Sequence, residues 1–346
     1  DGSITAWGRS NAGGTGAPSD SGYTKIYTTN RAFAALKADG SITAWGHSNW
    51  GGTGAPSGSG YTKIYSTQYA FATLKANGSI ATWGSSDWRK YRLYSPSGSG
   101  YTKIYSNRVA FAALKADGSI TAWGNSSDGG TGAPSGNGYT KIYSNWYAFA
   151  ALKADGSITA WGRSSYGGKG APSGSGYTKI YSTEGAFAVL EADGSITAWG
   201  RSSYGGTKAP SGSGYTKIYS TERAFAVLEA DGSITAWGNS GYGGTGAPSG
   251  NGYTKIYANA NAFAVLEADG SITAWGSSNS GGTAPSGSGY TKIYSTAKAF
   301  AALKTDGSIT AWGNSGYGGT GAPSDSGYTK IYSNNFAFVA VKADEL

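Results

Sequence analysis

Apolar residues fall along the chain in short runs that alternate with polar ones, and no stretch keeps the 3.6-residue spacing of an amphipathic helix. Ser3 to Trp7, Tyr23 to Thr28 and Phe33 to Lys37 are rich in Ile, Thr, aromatic residues and Ala, and are bounded by Gly, Ser, Pro and Asn. β-Branched and aromatic side chains suit a pleated surface, so each run predicts a strand. The three runs then return. The block Asp-Gly-Ser-Ile-Thr-Ala-Trp-Gly begins at Asp1 and again at Asp39, Asn77 (as Asn-Gly-Ser-Ile-Ala-Thr-Trp-Gly), Asp117, Asp155, Asp193, Asp231, Asp269 and Asp306, giving nine repeats of about 38 residues.

At each junction a run such as Phe33-Ala-Ala-Leu-Lys37 meets Asp39-Gly40 and then Ser41-Ile-Thr-Ala-Trp45. Asp-Gly suits a two-residue type I′ turn, which joins antiparallel strands as a hairpin and is foreign to a parallel solenoid. An open array needs polar end repeats to cover its last apolar face, yet the first and ninth repeats carry the same apolar set as the others. The chain starts with the strand after a turn and ends with the strand before one, Phe338-Val-Ala-Val341, so the two halves complete each other. The expected fold is all-β: a closed β-propeller of nine compact three-stranded antiparallel blades, one domain over residues 1–346, the N-terminal strand completing the last blade.

Ile4, Trp7, Ile26, Phe33 and Leu36 recur at equivalent places in nearly every repeat and read as core. Nine of the 12 Trp and nine of the 10 Phe occupy such constant slots. The absence of cysteine excludes disulfides, thiolate zinc sites, iron–sulfur clusters and cysteine nucleophiles, and a single histidine, His47, excludes a multi-histidine metal site. Carboxylates outside the turns are scattered over different repeats, so no acid–base pair is expected and the chain reads as non-enzymatic, without metal or cofactor. No apolar run approaches the roughly 18 to 20 residues that span a bilayer, so no membrane insertion is expected. Lacking an initial methionine, the chain is expected to be a mature or trimmed form.

The net charge is +8, and one lysine recurs in every repeat: Lys25, Lys63, Lys103, Lys141, Lys179, Lys217, Lys255, Lys292 and Lys330. If their strand is innermost, nine ammonium groups ring the axis and form a channel for an anion. The other reading packs each stem on neighbouring Tyr rings with the head in water. Either way the charge is spread by repetition and is no stripe for a phosphate backbone, so nucleic acid is not an expected partner.

Where the repeats disagree, they disagree in two windows. The first follows Trp-Gly and holds Trp50, Trp88, Tyr166, Tyr204, Tyr242 and Tyr317; the second precedes the Phe strand and holds Arg31, Tyr69, Arg108, Trp146, Tyr147, Arg223 and Phe336. The third repeat adds an enlarged loop with Arg89 and Tyr91. Aromatic and Arg side chains are what protein interfaces concentrate, and hairpin geometry sends both windows to one end of the blade. The expected function is a binding scaffold that offers this rim to a protein partner. A glycan partner, or a structural or engineered scaffold without ligand, are the alternatives. A monomer, secreted or displayed at a cell surface, is expected.

The pattern Ala-Leu-Lys-x-Asp-Gly-x-Ile-x-Ala-Trp-Gly, a loop with Gly and Pro, then Ser-Gly-Tyr-x-x-Ile resembles the regulator of chromosome condensation repeat superfamily over the whole chain. Within it the chain is most similar to the secreted bacterial propeller inhibitors of β-lactamases. That resemblance implies a propeller, and loop aromatics at Tyr69, Trp146, Tyr147, Tyr166, Tyr204 and Tyr242 that grip a protein. Seven blades are usual in those inhibitors, against nine repeats in this chain.

Overall fold

The structure, a computed structural model, describes residues 1–85 and 94–342. The chain divides into two compact units, Asp1–Gly176 and Tyr177–Leu346. In the first, Tyr23–Thr28, Ala32–Lys37 and Ile42–Gly46 form an antiparallel sheet in that order, and three similar sheets follow, starting at Tyr61, Tyr101 and Tyr139. The second holds three-stranded sheets that start at Ile180, Tyr215, Ile256 and Tyr290, then a sheet of two strands, Tyr328–Ser333 and Phe338–Lys342. We number these sheets blades 1 to 9 in chain order.

Each three-stranded blade takes its first and middle strands from one repeat and its third from the next. Among the described residues the expected nine three-stranded blades are therefore eight, with a ninth of two strands. Ser3 to Trp7, expected to complete the last blade, lies in no strand. The physical reason is that a strand exists only where its backbone groups pair with those of a partner, and among the described residues Ser3 to Trp7 forms no such ladder.

The hairpins form as expected, through a different turn. Gly40 N donates to Lys37 O and Lys37 N to Ser41 O, both at 3.0 Å, so the loop has three residues, Ala38 to Gly40. Only Gly40 among them has positive φ, +82°, where type I′ needs two such residues. This is a turn closed by a left-handed glycine bulge. The Asp39 carboxylate replaces the missing constraint by accepting from the Ser41 amide and hydroxyl, at 2.8 and 2.7 Å. A Cβ on Gly40 would lie 2.5 Å from the backbone of Tyr61, because Tyr61 N donates to Gly40 O and fastens the turn to the next blade.

Register sets the core. Phe33 lies opposite Trp45 and Leu36 opposite Ile42, and the Phe33 and Trp45 rings stack at 5.2 Å; the same pair stacks in blades 2 to 8. Because side chains alternate faces, Ala32, Ala34 and Leu36 point to blade 2 and pack on its Tyr61, Ile64, Phe71 and Trp83. The Trp45 indole N–H, buried with the ring, finds an acceptor in Gly13 O at 3.0 Å, which pins the loop of the preceding repeat. Within each unit the first strands of successive blades run side by side.

Candidate functional site

Both windows sit at the blade end opposite the Asp-Gly turn, and a conserved device within the chain holds them together. The first strand of each blade is followed by Thr or Asn. Its side chain caps the start of the middle strand: Asn145 Oδ1 accepts from Tyr147 N and Ala148 N. Its donor reaches the other window, as in Thr29 Oγ1 to Trp50 O at 2.9 Å, Asn107 Nδ2 to Asp128 O at 2.6 Å and Thr183 Oγ1 to Tyr204 O at 2.8 Å. The first window is one turn of 3-10 helix, such as Ser48–Trp50, ended by Gly51 at φ +93°. A Cβ there would meet the Phe71 ring at 2.6 Å, so glycine lets the loop lie flat on the core.

The fullest cluster is in the first unit. The Arg108 guanidinium lies 4.6 Å from the Trp146 ring centre, and its Nη1 donates to the Tyr147 hydroxyl at 2.8 Å. Arg163 covers Tyr147 at 4.4 Å, and Tyr147 meets Tyr166 edge to face at 4.7 Å. Behind them the buried Asp128 carboxylate accepts from Arg163 Nε at 2.8 Å. Burial pushes the Asp128 carboxyl above its ordinary value, and Arg163 opposes that shift. Beside this cluster, Arg31 covers Trp50 at 5.1 Å and Trp50 packs on Tyr69 at 4.4 Å. His47 is half-buried; its Nδ1 accepts from Asn49 N, and it caps the turn.

The second unit repeats the theme with more acid. Arg223 sits between Tyr204 and Tyr242, at 5.0 and 4.8 Å, and its Nε is 3.6 Å from the buried Glu184 carboxylate. Burial raises the neighbouring Glu222 carboxyl. Tyr317 and Phe336 pack at 5.2 Å under Lys298, and Phe336 remains 60% exposed.

The two windows therefore converge, as expected. Tyr204 is buried, against the expectation that it offers its ring: Arg201 and Arg223 close over it. Trp88, Arg89 and Tyr91 lie outside the described residues. Arg163, Arg201 and Lys298 were missed. Arg163 and Arg201 occupy the position directly after Trp-Gly, which also varies between Arg, His, Ser and Asn, and that variation was the available signal. The nine recurring lysines are all exposed, and in the eight from Lys63 to Lys330 the ammonium group lies over the Tyr two residues on, as at Lys63 over Tyr65 (5.1 Å) and Lys141 over Tyr143 (4.7 Å). That is the snorkelling arrangement.

Among the described residues, no helix is long and apolar enough to cross a membrane. No protein-family model and no curated protein matches the chain. Solved structures do. The receptor kinase CR4 ectodomain of Physcomitrella patens is 16% identical, covering 77% of this chain and 72% of that one, with a TM-score of 0.42. Prp20p of Saccharomyces cerevisiae is 14% identical over 73% of this chain and 72% of that one, with a TM-score of 0.39. The computationally designed Ika8 protein is 15% identical over 89% and 98%, with a TM-score of 0.35. At these identities and scores, nothing about function passes from them to this chain.

Proposed function

We propose that the end of the blades formed by the two windows is a non-enzymatic protein-binding face, and that its partner offers carboxylates around an apolar anchor. The observation that carries this reading is the stack of Arg108, Trp146, Tyr147, Arg163 and Tyr166. Aromatic rings and guanidiniums locked by packing lose little rotamer freedom on binding, which is why such residues dominate interface energetics. Arg31 and Arg163 keep exposed guanidiniums, whose planar donors match carboxylates. The resemblance to secreted propeller inhibitors, which grip a protein with loop aromatics, agrees with this.

A sugar stacks on an open ring face. The faces of Trp50, Trp146 and Tyr147 already carry guanidiniums, which favours protein over glycan. The test is equilibrium binding to a partner isolated by crosslinking through this face. Arg108→Ala and Trp146→Ala are expected to weaken binding at least about tenfold each, and added salt to weaken it further. Unchanged affinity in both variants, or glycan-array binding without a protein partner, overturns the reading.

A further inference from the structure

We propose that Asn77 is a modification site gated by its own turn: the carboxamide is protected while the turn is closed, deamidates when the turn opens, and of the two products only aspartate restores the turn. The position stands out by composition. The turns that join middle and third strands carry Asp-Gly-Ser, as at Asp39 and Asp117, except in blade 2, where Asn77-Gly78-Ser79 joins Ala70–Lys75 to Ile80–Gly84. Asn-Gly is the labile pair, because glycine has no side chain to hinder attack of its nitrogen on the carboxamide before it.

The reaction needs only water. The Gly78 nitrogen bonds to Asn77 Cγ, the Cγ–Nδ2 bond breaks, and ammonia leaves with the proton that the Gly78 nitrogen gave up, so a five-membered imide remains. Water then cleaves one of the two bonds from the Gly78 nitrogen to an imide carbonyl. Cleavage of the new bond returns the original main chain with an aspartate at 77. Cleavage of the old bond gives isoaspartate, whose main chain runs through Cβ and Cγ and is one atom longer.

The closed turn blocks the first step. Gly78 N donates to Lys75 O at 2.9 Å, so the proton that has to leave is committed. Asn77 Oδ1 accepts from the Ser79 amide and hydroxyl at 2.9 and 2.8 Å, which holds the carboxamide to the nitrogen after the one that attacks. Blade 3 fastens the turn from outside: Gly100 N donates to Asn77 O at 3.0 Å and Tyr101 N to Gly78 O at 3.2 Å. Asn137-Gly138, in the same unit, is a reference with fewer holds. Both residues are exposed, Gly138 N donates to Asp117 O at 3.0 Å, and among the described residues nothing holds the Asn137 carboxamide.

The turn also tells the products apart. Aspartate at 77 finds the bonds that Asp117 makes, where Oδ1 accepts from the Ser119 amide and hydroxyl at 2.8 and 2.7 Å, and Lys75 stands before it as Lys115 stands before Asp117. Isoaspartate does not fit. The carbonyl that accepts from Gly100 N becomes part of a free carboxylate, and the added atom enters a turn so close to blade 3 that a Cβ on Gly78 would lie 2.5 Å from Tyr101 N.

The test holds the full chain at mildly alkaline pH, in native buffer and in denaturant, and follows Asn, aspartate and isoaspartate by mass spectrometry of separated proteolytic peptides. In denaturant Asn77 and Asn137 are expected to convert at similar rates. In native buffer Asn77 is expected to convert at least about tenfold more slowly than in denaturant, since it reacts only through opening of the turn. Ser79→Ala removes one hold on Oδ1 and is expected to raise the native rate severalfold with the denatured rate unchanged. After refolding, the chain with aspartate at 77 is expected to unfold at the parent's denaturant midpoint, as Asn77→Asp does, and the isoaspartate chain at a lower one. Native conversion of Asn77 as fast as in denaturant overturns the proposal. So does an isoaspartate chain with the parent's midpoint.

Discussion

The Asn145 side chain donates from Nδ2 to the Tyr166 carbonyl oxygen 2.6 Å away, which ties the loop after one strand to the start of another. Its Oδ1 accepts from the amides of Tyr147 and Ala148 at 3.0 and 2.9 Å. The group is buried, so removing it strands three polar atoms away from water. Asn145→Ala is expected to cost about 3 kcal/mol by chemical denaturation and to loosen the stack of Tyr147 on Tyr166. Asn145→Thr is expected to recover most of that loss, because Thr183 makes both kinds of contact in blade 5.

Repetition made the strands, the hairpins and the Phe33–Trp45 core legible before any coordinates, since a side chain that returns in every repeat is doing the same work each time. The clamp at Asn145 was not legible for the opposite reason. Thr and Asn both read as ordinary turn residues, and their shared role shows only when the donor is seen to cross to the other window. The turn type failed at Asp39, because Asp-Gly fits two hairpin loops and only the hydrogen bonds from Lys37 and Gly40 decide between them.

Two glycines of one repeat separate conformational strain from crowding. Gly51 has φ +93° and would drive a Cβ to 2.6 Å from Phe71, whereas Gly58 has φ +85° and faces open space. Gly58→Ala is expected to cost about 1 kcal/mol, the price of a left-handed backbone alone. Gly51→Ala is expected to cost about 3 kcal/mol or more, since the Phe ring has to move inside a packed core. Equal melting temperatures for the two variants would refute the assignment of the Gly-Gly pair to close packing.

The turn aspartates make stability depend on acid in a way that can be isolated. The Ser119 amide and hydroxyl donate to Asp117 and hold its carboxyl below the usual 3.8, and the aspartates of six other turns behave alike. A carboxyl lowered in the fold contributes stability that is complete above its unfolded value and is lost as pH falls through the lowered one. Asp128 and Glu222, raised by burial, work in the other direction: their contribution is complete below the unfolded value and is lost as pH rises through the raised one. Asn77 supplies the control, because its Oδ1 accepts from the Ser79 amide and hydroxyl at 2.9 and 2.8 Å without titrating. Asp117→Asn is therefore expected to leave stability at neutral pH nearly unchanged and to make its decline below about pH 4 shallower, as read from denaturant midpoints across the acid range.

Tyr147 and Phe336 carry the same residue class into the windows but differ in what holds them. Tyr147 accepts from Arg108, packs on Tyr166 and lies beneath Arg163, so its ring supports two guanidiniums and a neighbouring loop. Tyr147→Ala is expected to lower stability by about 2 kcal/mol and to weaken partner binding through the displaced arginines; Tyr147→Phe removes only the hydroxyl and is expected to cost about 1 kcal/mol. Phe336 packs on Tyr317 and stays 60% exposed. Phe336→Ala is expected to leave stability within about 0.5 kcal/mol of the parent, so any loss of binding it causes reports contact with the partner alone. Thermal unfolding and partner affinity measured on the same three variants tell a supporting ring from a contacting one: a Tyr147→Ala variant as stable as Phe336→Ala would mean that the arginines hold their places without it.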